Sequence, residues 1–335
     1  MNLNSFYDIF VAIIVGAIEG FTEFLPISST AHNSLASNLL LSGKDLGLDV
    51  SNIFQFGALV AIVQYFWHDI KGYLLRLKEI ILSKKSRGEF FVHIKNWNKN
   101  ILEQSRQTNI TLESKEDNND LLKTRMDVEN DLMLAQLVIA TIPAAVIGLA
   151  MRGVLDGLRT YVWIGFFLIV GSMLMGISDW YYSKSIHKNV NLLTKLQVFN
   201  IGLFQSLGIF PGISRSGATV AGTFFLGIER AKAVRFAFLL GIPILALAGI
   251  YDGSKVILKI LKDANYPILY NPNVLVDGKI SALGILLGAI VSYFVALASL
   301  KWLLKYLSNH NFTPFIVYRV LLGLLLILSS LTGYK

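Results

Sequence analysis

At 335 residues with a net charge of +8, the chain is 54% hydrophobic but only 16% charged, well below the roughly one-quarter charged content of soluble domains. That balance excludes an ordinary soluble enzyme. It also removes the nucleic-acid partner that a basic soluble protein would suggest, because basic loops of a membrane protein follow the positive-inside rule. There is no cysteine, which excludes disulfides, thiolate nucleophiles and Cys-ligated metals.

Residues 1–10 carry no Lys or Arg and the apolar stretch that follows contains Glu19 and Glu23, so the start does not read as a secretory signal. In chain order, helices are expected at 5–24, 29–42, 49–69, 131–151 and 158–180, then at 195–210, 214–228, 232–251, 278–304 and 312–333. Runs 131–151, 158–180, 232–251, 280–300 and 312–333 are each about twenty residues with few or no charges, long enough to span a bilayer core. A helix satisfies its own backbone where hydrocarbon offers no partner. Segments 5–24, 29–42, 195–210 and 214–228 are short, carry polar residues or are joined by Pro-containing turns. Between 70 and 130 lies a polar stretch with Lys84, Lys85, Arg87, Glu113, Lys115, Glu116, Asp117, Asn118 and Asn119; it reads as a solvated loop with some helix.

An internal repeat organises these segments. Residues 16–30 (GAIEGFTEFLPISST) align with 202–216 (GLFQSLGIFPGISRS) at an offset of 186, matching Gly16 to Gly202, Glu19 to Gln205, Phe24 to Phe210, Ile27 to Ile213 and Ser28 to Ser214. Residues 54–61 likewise match 238–245, with Phe54 over Phe238 and Gly57 over Gly241. Each half then holds a Pro-broken pair of short helices followed by three full spans. If each pair is a re-entrant hairpin, three crossings per half force the second copy to be inverted, as in many transporters. The expected fold is an all-α integral membrane protein of about ten helices, six spanning plus two re-entrant helical hairpins. Its first repeat is 1–180, with the polar insertion 70–130, and its second is 181–335. In this topology loops 70–130, 181–195, 229–235 and 301–311 share one face and hold 20 Lys and Arg, against 8 on the other face. The richer face is expected in the cytoplasm, with both termini outside.

Ionisable side chains inside membrane segments are costly and mark function by default. Glu19 and Glu23 lie one helical turn apart on one face, and two carboxylates there call for a cation between them. Hard oxygen ligands suit Mg²⁺ or Ca²⁺. The turn Pro26-Ile27-Ser28-Ser29-Thr30-Ala31-His32 opens a helix, whose free N–H groups attract anions. One hydroxyl suffices to cap it; here there are three, with a histidine two residues on. Ser29 is the candidate nucleophile, Ser28 a cap or ligand, Thr30 a further hydroxyl and His32 an acid–base group. The second turn, Phe210-Pro211-Gly212-Ile213-Ser214-Arg215-Ser216-Gly217-Ala218-Thr219, offers close backbone approach at Gly212, hydroxyls at Ser214, Ser216 and Thr219, and a phosphate-shaped fork at Arg215.

The blocks EGFTEFLPISSTAH and FPGISRSGAT resemble those of the undecaprenyl-diphosphatase family, also known for bacitracin resistance, and 53–67 (IFQFGALVAIVQYFW) is similar to its third segment. The resemblance spans both halves. It implies a multi-pass protein of the bacterial plasma (inner) membrane that hydrolyses undecaprenyl diphosphate to the monophosphate, recycling the carrier lipid of cell-wall synthesis. It further implies a divalent-cation requirement and an active site open to the outer face. Function would then fall on Glu19, Glu23, Ser29, His32 and Arg215, supported by Ser28, Thr30, Ser214, Ser216 and Thr219. Expected partners are a polyprenyl diphosphate and membrane lipids, with a homodimer left open and no nucleic acid. Two departures stand out: Ala31 replaces a glycine before the histidine, and 70–130 is longer than the family pattern. The alternative is a polyprenyl-phosphate transporter of inverted-repeat type. An acid-phosphatase-like lipid phosphatase is rejected, since Ala221 stands where its histidine would follow Arg215.

Overall fold

The structure, a computed structural model, describes residues 3–40, 48–99, 119–184, 193–262 and 282–332. The charged run at 113–118 and Lys44, Lys279 and Lys335 of the charge balance lie outside the described residues. All regular structure among the described residues is helical: α1 (Leu3–Thr22), α2 (Ser29–Leu40), α3 (Leu48–Tyr65), α4 (Trp67–Leu82), α5 (Lys84–Lys95), α6 (Asn119–Leu155), α7 (Tyr161–Lys184), α8 (Lys195–Leu207), α9 (Arg215–Phe225), α10 (Arg230–Lys262), α11 (Ala282–Asn309) and α12 (Thr313–Leu331).

Among the described residues five segments are long and apolar enough to cross a membrane: Lys123–Met151, Tyr161–Lys184, Arg230–Tyr251, Leu283–Asn309 and Thr313–Leu331. The chain is therefore a multi-pass membrane protein. Large side chains such as Leu321, Leu328, Phe294 and Val146 point outward from these spans, as a lipid-facing surface requires. The expected span at 49–69 divides instead. Its apolar part is Ile53–Tyr65, and the chain breaks at Phe66 before the charged α4. The polar stretch 70–130 holds the expected helix, and more of it than a solvated loop with some helix would. It contributes α4, α5 and an extension of α6 below residue 131, packed around a buried Arg76 that forks onto Asp131 at 2.8 and 2.9 Å. His93 joins the same carboxylate at 2.7 Å. These bonds raise the Arg76 pKa above its already high ordinary value, so the guanidinium stays charged.

The two short-helix pairs set the architecture. α1 packs chiefly on α11 and α8 on α6, so the first helix of each pair leans on a span from the other half of the chain. Gly16 makes this possible by meeting Gly288 backbone to backbone, and Gly202 meets Ala140 in the same way; small residues let membrane helices approach closely. The pairs α7–α12 and α3–α10 close the bundle.

Candidate active site

Each broken pair turns on a serine in the left-handed region, Ser28 at φ 75° and Ser214 at φ 69°, the only non-glycine residues with positive φ among the described residues. They occupy matching repeat positions and do the same work. Ser28 Oγ accepts from the Ala31 N–H, and Ser214 Oγ accepts from the Gly217 N–H, both at 3.4 Å. A side chain at positive φ is unfavourable, and the cap on the following helix partly offsets that cost. Each turn thereby ends its first helix early and presents the next residue, Ser29 or Arg215, at the start of the second.

Those two residues meet. Glu23, 5% exposed in its side chain, accepts from Arg215 Nη2 at 2.9 Å on Oε1 and from Ser29 Oγ at 3.1 Å on Oε2. Gln55 Nε2 of α3 donates to Oε1 at 3.2 Å, and Arg215 Nη1 donates to the Gly241 carbonyl of α10 at 3.2 Å. They border a cavity of about 190 Å³ that Thr22, Ser28, Thr30, Gly212 and Ser214 also line, with Ile244, Leu245 and Ala248 as an apolar wall. Ser214 and Ser216 hydroxyls bond each other at 3.1 Å, and Thr219 Oγ1 donates to the Arg215 carbonyl at 2.7 Å.

Four expected residues stand outside the cavity lining: Ser216 and Thr219, just described, and Glu19 and His32. Glu19 is buried one turn behind Glu23 and accepts from Asn33 Nδ2; its carboxyl also interacts with that of Glu23. His32 turns away from Ser29. Its Nδ1 donates to the Ser28 carbonyl at 2.8 Å, and its Nε2 accepts from the Tyr318 hydroxyl at 2.7 Å, an assignment fixed by the carbonyl having no proton to give. Glu23, not His32, touches the Ser29 hydroxyl.

Sequence reasoning missed Gln55, Asn33, Tyr318 and, above all, Arg319. The Arg319 side chain is fully buried and spends its donors on backbone and hydroxyl oxygens. It reaches Pro26 O at 2.9 Å, Gly212 O at 3.0 Å and Ile213 O at 2.9 Å, so one guanidinium holds both turns. Ser172 Oγ and Leu168 O anchor it to α7 at 3.0 and 3.2 Å. The available signal was an arginine inside the apolar run 312–333.

Among the described residues no group of three or more His, Asp or Glu is arranged to hold a metal by itself. The oxygen donors nonetheless suit a hard cation. Beside the carboxylates of Glu19 and Glu23, Asn33 Oδ1 is buried without a hydrogen-bond partner, the kind of oxygen a cation or its water would satisfy.

Nearly the whole chain has known relatives. Residues 12–325 match the family model described as bacitracin resistance protein BacA. An undecaprenyl-diphosphatase 1 of Frankia alni is 33% identical over 94% of this chain and 93% of its own length. Undecaprenyl-diphosphatases of Chlorobium phaeovibrioides and Deinococcus deserti are each 31% identical, over 97% and 96% of this chain and 98% and 95% of their own lengths. A paired Glu23–Arg215 cavity at two serine turns, within a match that runs nearly from end to end, makes this chain a member of the bacitracin resistance protein BacA family.

Proposed function

We propose that this chain is a membrane phosphatase that hydrolyses undecaprenyl diphosphate to undecaprenyl phosphate and inorganic phosphate. The observation that carries the mechanism is the Glu23 carboxylate, shared between Ser29 of one turn and Arg215 of the other. Arg215 and the N–H groups opening α2 and α9 bind the diphosphate oxygens, where developing charge is stabilised without reorganisation. Glu23 takes the Ser29 proton as Ser29 Oγ attacks the terminal phosphorus. The new Oγ–P bond forms as the bridging P–O bond breaks, undecaprenyl phosphate departs, and a water then frees phosphate from Ser29. A water held by Glu23 in place of the Ser29 hydroxyl gives the same products in one displacement. His32 holds the Ser28 carbonyl and so the turn; Gly212 and Ser214 line the anion side of the cavity, backed by Ser216 on the Ser214 hydroxyl and Thr219 on the Arg215 carbonyl. A divalent cation, Mg²⁺ or Ca²⁺, held by Glu19 and Glu23, would neutralise diphosphate charge.

For the fold we propose six spans and two re-entrant hairpins in two inverted repeats, 1–180 and 181–335. The exchanged packing of α1 on α11 and α8 on α6 and the paired left-handed serines support it. The charge balance favours both termini outside and 70–130 in the cytoplasm, and the family favours the bacterial plasma membrane.

The test is phosphate release from undecaprenyl diphosphate by the purified chain in detergent, where the absence of a second compartment separates hydrolysis from lipid transport. Release is expected, reduced by chelator and abolished in Arg215→Ala. Near-normal turnover in that folded variant would overturn the assignment.

A further inference from the structure

The insertion that the phosphatase chemistry leaves unused has a surface of its own. On α4 the charged network takes one side, with Arg76 3% exposed against α6. The other side is apolar and open: Trp67, Leu74, Leu75, Ile81 and Leu82 project outward, Leu82 being 73% exposed. Lys71 and Lys78 lie along the same strip, by the helical spacing of 67, 71, 74, 78, 81 and 82, and both are exposed. α5 continues the pattern, with Phe91 64% exposed beyond the exposed Lys84 and Lys85. In water this face would leave a broad apolar patch uncovered, which soluble surfaces rarely do.

Its position says what covers it. Asp69, at the start of α4, accepts from Arg235 at 2.6 Å, five residues into the span Arg230–Tyr251, so α4 starts level with the end of the membrane-spanning bundle. It then crosses α6 instead of running along it. Gly72 lies against Asn130, and Arg76, a turn later, reaches Asp131 and Asp127. His93 of α5 returns to Asp131. Both helices thus stay at one level of α6, near the mouth of the span Lys123–Met151.

We propose that the α4–α5 hairpin lies along the membrane surface, its apolar face sunk into the headgroup–acyl boundary and its lysines on the phosphates of anionic lipids. Lysines set within an apolar strip bury their stems beside it and carry their charge out to the headgroups, and basic residues beside a bundle are drawn to anionic leaflets. Arg87 secures the turn by donating to the Ile80 and Ile81 carbonyls at 3.3 and 2.7 Å, while Lys84 and Lys85 stay exposed.

The chain has no cysteine, so single-site labelling is direct. Leu82→Cys and Phe91→Cys, each carrying an environment-sensitive fluorophore, are reconstituted as full-length protein in phosphatidylcholine vesicles containing phosphatidylglycerol and nitroxide-labelled lipids. Both labels are expected to emit at shorter wavelength than in water and to be quenched by shallow nitroxides. Reversing Lys71, Lys78, Lys84 and Lys85 to Glu should reduce that quenching in anionic vesicles and leave it unchanged in neutral ones. Labels that report water, or labels that quench each other as protein density rises because a second copy covers the face, overturn the proposal. Equal quenching after charge reversal overturns the anionic preference. Should either cysteine variant lose its helicity, Lys85→Cys, at an 88% exposed side chain in the same turn, gives the same readout.

Discussion

The two broken helix pairs share a backbone and divide the chemistry. α1–α2 and α8–α9 turn on serines at φ 75° and 69°, cap the following helix through the same contact, and lean on α11 and α6 through glycines at matching positions. Yet the residue after the serine is Ser29 in one and Arg215 in the other. The residue on the preceding helix is Glu19, bonded by Asn33, in one. In the other it is Gln205, whose amide has no partner on either atom. Geometry has been kept while charge has been sorted, acid and hydroxyl to one turn and cation to its counterpart. A site assembled this way depends on both turns at once, because the Glu23–Arg215 pair joins residues 192 apart in sequence.

The largest expected effect comes from breaking that pair. Arg215→Ala or Glu23→Ala should lower phosphate release at least about 100-fold, the scale for losing a preorganised charge partner. Arg215→Lys should recover only part of it, since an ammonium keeps the charge but loses the fork. Next comes the residue that fixes the two turns relative to each other. Arg319→Met leaves the Pro26, Gly212 and Ile213 carbonyls without their donor, and thermal denaturation in detergent should show a loss of about 2–3 kcal/mol. Turnover per folded molecule should fall as well. Unchanged turnover in the folded fraction would mean that the turns keep their registration without it.

This division of labour was half legible in the sequence. The repeat exposed both turns, and Glu23, Ser29 and Arg215 could be named because ionisable or reactive groups beside a proline inside an apolar run have few structural uses. What their neighbours do was not legible, because those neighbours arrive through long-range packing. Tyr318, which takes His32 away from Ser29, lies 286 residues along the chain, and Gln55 and Arg319 come from separate helices. No local pattern announces such contacts. The α3–α4 break failed differently. Phe66 carries neither the Pro nor the Gly that marks a boundary, and what holds it is its burial under the Arg235 guanidinium, 5.2 Å from the ring. In α4, lysines interrupt the apolar strip, so the segment averages to polar although its two faces differ.

The serines allow a smaller and sharper test of whether the two turns are physically alike. At positive φ an alanine is strained and a glycine is not. Ser28→Ala should therefore cost about 1–2 kcal/mol through strain and the lost cap, whereas Ser28→Gly should come out within about 1 kcal/mol of the parent. Ser214→Ala and Ser214→Gly should give the same pattern in thermal denaturation. An alanine–glycine gap at only one of the two sites would show that the shared conformation is not shared in energy.

The smallest effect belongs to Gln205. Its side chain is 1% exposed with both amide atoms unbonded, so in Gln205→Leu a buried polar group without partners gives way to an apolar one. Removing that desolvation should raise stability by up to about 1 kcal/mol and leave phosphate release near the parent value. Glu19→Gln makes the opposite exchange at the matching position, installing the amide of the second turn in the first. It should lower turnover, because the carboxylate beside Glu23 is lost while the shape remains. If Gln205→Leu instead folds normally but loses turnover, the second turn contributes more than a cation, and charge sorting is an incomplete account of how the halves diverged.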